Sequence, residues 1–182
     1  EELPVADGLT SDGAEAVARE EAERVVLTLD DGLDELHTLL QGLLSRPPRR
    51  AADAPPLGRW LREDLLLAAH REAGEVADRG ARLLGLAKTT YRRRLDKALG
   101  SSVGPAGRPA EWAPVERCLE RLTVLVDDPD EDLMRRCEGV LLREIVARLP
   151  GNTGLGSALL DVSPPTYRRR VAALEPETVE VG

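Results

Sequence analysis

The sequence predicts an all-α chain made of one four-helix unit written twice, and three observations predict it. Phe is absent and the chain has only 2 Tyr and 2 Trp, so Leu, Val and Ala must fill the core. Such a core suits helix-on-helix packing better than strands, which favour aromatic and β-branched residues. Apolar residues recur at helical spacing over most of the chain. Finally, Thr90-Tyr91-Arg92-Arg93-Arg94-Leu95 returns as Thr166-Tyr167-Arg168-Arg169-Arg170-Val171, a repeat that organises everything upstream of it.

In the first copy the helices are expected at 32–45, 57–73, 76–84 and 88–99. Leu33, Leu36, Leu40, Leu43 and Leu44 make the stripe of the first. Residues 14–29 read more as helix than as strand, and 1–13 as a flexible acidic segment. A proline-rich loop from Ser45-Arg46-Pro47-Pro48 to Pro55-Pro56 precedes the second helix. In the second copy they are expected at 114–126, 130–149, 152–160 and 164–174. Val115, Cys118, Leu119, Leu122, Leu125 and Val126 match the first stripe, with Leu119 where the first copy has His37. The acidic turn around Pro129 replaces the proline-rich loop, and Pro150-Gly151 stops the second helix. Asn152 is a good N-cap for the third helix, and Ser163 caps the fourth with Pro164 at its first position. Further matches are Leu65-Leu66 with Leu141-Leu142, Gly80 with Gly156, Leu83-Leu84 with Leu159-Leu160 and Leu86 with Val162. The domains are therefore a first repeat at 14–100, a Gly/Pro-rich linker at 101–111 and a second repeat at 112–182.

The net charge of −8 at first argues against a polyanionic partner, but the charge is unevenly placed. Residues 1–48 hold 3 basic and 12 acidic side chains, 49–100 hold 12 and 7, and 101–182 hold 10 and 14. Basic residues concentrate in the two Arg triplets. Cys118 and Cys137 sit at apolar helical positions and read as free buried thiols. His37 and His70 stand alone, so no metal site is expected. Residues 127–132 lack the glycine and closing glutamate of a calcium loop, and Gly151-x-x-Gly154-x-Gly156 follows no strand and has the wrong spacing for a nucleotide loop. No nucleophile has a base beside it, so neither catalysis nor a cofactor is expected. Without an apolar run of membrane length or a leader, a soluble cytoplasmic chain is expected. Because it begins at Glu1, a module of something larger is expected too.

The last two helices of each copy have helix-turn-helix proportions, at 76–99 and 152–174. Paired leucines and an apolar turn residue, in Gly85-Leu86-Ala87 or Asp161-Val162-Ser163, would fix the angle between a short helix and a basic one. The start of the basic helix is then free to enter a major groove. Successive arginines can reach phosphates on both groove walls, and a guanidinium suits guanine O6 and N7. A threonine hydroxyl in the first turn adds a contact.

Gly151-Asn152-Thr153-Gly154-Leu155-Gly156-Ser157-Ala158-Leu159-Leu160, then Ser163-Pro164-Pro165-Thr166-Tyr167-Arg168-Arg169-Arg170-Val171, resembles the Fis-type helix-turn-helix. That family includes the nucleoid protein Fis and the C-terminal domains of bacterial enhancer-binding activators. Its pattern is Gly-Asn, a short Ala/Leu-rich helix, a tight turn, then Thr-Leu-Arg, two basic residues and Leu. The resemblance implies that the first two helices of each copy pack into a shared four-helix core, here as an intramolecular pseudo-dimer. It implies double-stranded DNA as the partner and a nucleoid-associated transcription regulator, with Lys88, Thr89, Thr90, Arg92, Arg93, Arg94, Ser163, Thr166, Arg168, Arg169 and Arg170 as contacts. The first copy has Glu75-Val76 in place of Gly-Asn. At the base-reading position it has Lys88, and the second copy has Pro164, so the half-sites would differ. A monomer is expected, with a homodimer as the alternative. The rival reading is a protein-interaction module that keeps the helical fold without binding DNA.

Overall fold

The computed structural model describes residues 28–101 and 107–174. The expectations for 1–27 and 175–182 lie outside the described residues. Among the described residues there are eight α-helices and no strand. They are α1 Leu29–Leu43, α2 Leu57–Ala73, α3 Ala77–Leu84, α4 Lys88–Gly100, α5 Ala113–Leu125, α6 Leu133–Arg148, α7 Thr153–Leu160 and α8 Pro164–Leu174. Short 3-10 turns at Ala51–Asp53, Ala110–Trp112 and Pro129–Glu131 lead into α2, α5 and α6.

The starts follow local chemistry. Thr28 caps α1 in a capping box with Asp31, so the chain there is extended and the helix does not run back through it. Asn152 accepts the Leu155 N–H at 3.1 Å, and Ser163 holds the first turn of α8 through Thr166. The α6 helix starts three residues later than the pattern suggested. Asp132 adopts a left-handed conformation (φ 45°) and accepts the Arg135 N–H, so the acids before it form a turn instead of a first helical turn.

The core is four helices. α1 packs on α5 and α6, and α2 packs on α5 and α6. Leu36, Leu40, Leu61, Leu65, Leu119, Leu122, Leu141 and Ile145 are all at 0 % exposure there, and burial on this scale is the main stabilising contribution. Each short helix, α3 or α7, packs both on the long helix before it and on the long helix of the other half. Exchanging α1–α4 for α5–α8 turns every one of these contacts into another that is present; even the turn at 129–131 touches α3 as the turn at 51–53 touches α7.

Two departures from apolar packing break this regularity. Asp64 in α2 is buried, bonded by Trp112 Nε1 at 2.7 Å and by Arg108; burial pushes its carboxyl up, with the two donors pulling the other way. Arg108 falls in the segment read as a linker, yet its side chain is only 4 % exposed and also holds Glu63. The end of that segment is docked into the fold. In α6, buried Glu144 is held by His37 at 3.0 Å and Arg148 at 2.9 Å. The sequence match puts His37 opposite Leu119 and Glu144 opposite Ala68, so a polar pair stands where the other half has an apolar one.

Candidate nucleic-acid interface

Both basic helices are presented by the same local geometry. α3 ends at Gly85 (φ 68°) and α7 at Asp161 (φ 55°), each left-handed. The next N–H returns to the same carbonyl in each case, Leu86 to Ala81 at 2.9 Å and Val162 to Ser157 at 3.1 Å. This is a Schellman closure, and the apolar residue after it packs on the core. Glycine at 85 is further required because a Cβ there would lie 2.6 Å from Asp132 Cα.

The tyrosine of each motif sets the helix against its partner. Tyr91 is 1 % and Tyr167 4 % exposed, and a Cβ on Gly80 or Gly156 would overlap the tyrosine ring and hydroxyl. Burial pushes both phenols up. These tyrosines were not among the expected site residues, because the charge of the motif masks the one side chain that faces inward. The paired glycine eleven residues upstream was the available signal.

With Tyr inward, the neighbouring arginines turn outward. Lys88, Thr89, Arg92, Arg93 and Arg94 are exposed and Thr90 half-buried; in the second unit Ser163, Arg168 and Arg169 are exposed, with Thr166 and Arg170 half-buried. Among the described residues no carboxylate pairs with Arg92, Arg93, Arg94, Arg168 or Arg169. Lys88 is different: its Nζ lies 2.9 Å from Asp78. That bond, followed by the charges of Lys88, Arg82 and Arg92, holds the Asp78 carboxyl below its usual range. Pro164 opens α8 as expected and offers no side-chain donor.

The triplets differ most at their third member. Arg170 donates to Glu138 at 3.0 Å, and Glu138 also faces Arg62 at 3.5 Å. Arg62 donates in addition to the carbonyls of Leu160 and Asp161, both at 3.2 Å, which ties α2 to the end of α7. The match between halves pairs Arg94 with Arg170 and Arg62 with Glu138. Arg94 thus has a like charge where its counterpart has a carboxylate. Arg94, Lys97 and Arg170 line one cleft of about 480 Å³, together with Glu138, Asp132 and Asp161. The third arginine of each triplet therefore borders a common space, though not one free of acids.

Cys118 and Cys137 are buried and free; burial pushes the Cys118 thiol up to about 12 and the Cys137 thiol upward as well. No group of metal-ligating side chains and no helix able to cross a membrane occurs among the described residues. No family model, curated protein or solved structure matches this chain.

Proposed function

We propose that the chain is a duplicated Fis-like unit, a dimer written into one polypeptide, that binds double-stranded DNA through α4 and α8 as part of a bacterial transcription regulator. The observation that carries the reading is a pair of matching short-helix, left-handed-turn, basic-helix units. Each is fixed by a buried Tyr on a Gly, and each holds outward arginines that no described carboxylate neutralises. The exchange of contacts between α1–α4 and α5–α8 supports the duplication, and the shared α1, α2, α5 and α6 core supports the pseudo-dimer.

Phosphate contacts from Arg92, Arg93, Arg94, Arg168 and Arg169 supply most of the affinity, which then falls steeply with salt. Thr89, Thr90, Ser163 and Thr166 add hydroxyl contacts at the helix starts. The halves contribute unequally, since Arg170 is occupied by Glu138 and Pro164 cannot read a base. Titrating labelled duplex at low and moderate salt tests this. Detectable low-salt affinity that weakens by about tenfold or more at higher salt, and is lost when both triplets become alanine, is the expected result. No binding at low salt, or binding unmoved by those substitutions, defeats it.

The carboxylates on Lys88 and Arg170, with the net charge of −8, favour a second reading as a protein-interaction module. Absence of DNA binding in the same titration would leave that reading standing.

A further inference from the structure

The match between halves pairs Trp60 with Arg136, Trp112 with Asp30 and Pro55 with Glu131. Where α1 meets α6 these positions form an ion cluster, in which Arg136 holds Asp30 at 2.8 Å and also Glu131. Where α2 meets the start of α5 the equivalent positions are two indoles, edge to face with centroids 5.4 Å apart. They line a mainly apolar cavity of about 240 Å³, whose far wall includes Leu159 of α7.

Part of the rest of the lining is rigid proline. Pro48 and Pro55 come from the long loop before α2, which the second half replaces with a short acidic turn, and Pro109 comes from the segment joining the halves. Proline walls lose little on ordering because φ is already fixed. Arg46 is the one charged residue in the lining; it is exposed, and no carboxylate among the described residues pairs with it. Arg108, stacked 6.0 Å from the Trp60 ring, is already committed to Asp64 and Glu63.

We propose that this cavity binds a small aromatic carboxylate, with its ring against Trp60 and its carboxylate on Arg46. An apolar cavity of about 150 Å³ suffices for benzene, so the space takes one ring with a short substituent. Trp60, half-buried, offers its ring to a second ring, with the buried Trp112 behind it edge to face. A lone guanidinium selects a carboxylate over an amine and grips it with two parallel bonds. The site stands apart from the DNA reading, since none of its residues lies on α4 or α8.

The two indole N–H signals in the nitrogen-proton NMR spectrum of the full chain report on the cavity directly. Phenylacetate is expected to shift the Trp60 signal saturably, and 2-phenylethylamine to leave it in place. Arg46→Ala, an exposed change, should raise the phenylacetate midpoint by about tenfold while leaving the ligand-free signals where they are. Equal response to the amine, a midpoint unchanged in Arg46→Ala, or no saturable shift would overturn the proposal. So would cross-relaxation between the indoles and residues 1–27 or 175–182 in the ligand-free protein, since the chain would then fill its own cavity.

Discussion

Tyr91 and Tyr167 are where the repeated motif meets the core, and the glycines beneath them carry the most direct residue-level consequence. Gly156→Ala must push the Tyr167 ring off α7, and overpacking of this kind costs about 1–3 kcal/mol. Gly139→Ala is the control: mid-helix in α6, its Cβ would meet nothing nearer than the Arg143 guanidinium at 3.8 Å. It should stabilise by up to about 1 kcal/mol through helix propensity. Urea midpoints of the two variants separate close packing from propensity. Asp78 makes a functional prediction at the same scale. Asp78→Ala releases Lys88 and removes a negative charge from the α3–α4 surface. DNA affinity should rise several-fold, with a steeper salt dependence, because each added phosphate contact adds to the slope. The lowered Asp78 carboxyl also fixes a sign. Its folded pKa lies below the unfolded value, so its stabilising contribution is present above the unfolded pKa and is lost as pH falls through the folded one. The thiols give a third test: with Cys118 at about 12 and Cys137 raised by burial, a thiol reagent at neutral pH should label the native chain far more slowly than the chain in urea.

At the scale of elements, the polar pair between α1 and α6 is where the two matched halves differ in their packing. His37→Leu leaves the buried Glu144 with Arg148 alone, which should cost about 1–3 kcal/mol. Adding Glu144→Ala recreates the Leu119 and Ala68 combination of the other half, and the double variant should recover most of that loss. If it does not, the two positions are not equivalents, and denaturation of the single and double variants decides the point. What was readable in the sequence at this scale depended on local signals. α2 and α8 begin where Pro56-Leu57 and Ser163-Pro164 say they should, because proline and a capping hydroxyl act within one turn. The start of α6 was misplaced because acids at 130–132 suit a first helical turn equally well, and the left-handed Asp132 pressed against Gly85 is a tertiary fact. Arg108 read as linker for the same reason: its burial depends on Asp64, 44 positions earlier in the chain.

For the whole molecule, the repeat of motif and helix order was legible because both Arg triplets follow the same leucines and turns. The inequality of the halves was only partly legible. Lys88 against Pro164 could be read directly, whereas the commitment of Arg170 to Glu138, 32 positions away, could not. If the core is a dimer within one chain, α1, α2, α5 and α6 already bury the faces that a homodimer would use. The free protein should then sediment as a monomer. The central claim is that one chain presents two basic helices to one duplex, and this is tested most directly by sedimentation of the chain with a labelled duplex of about 20 base pairs, long enough for two half-sites one turn apart. The expected result is a complex of one chain per duplex, weakened by alanine at Arg92–Arg94 or at Arg168–Arg169 separately and abolished by both together. Two chains per duplex, or indifference to one set of arginines, would contradict it.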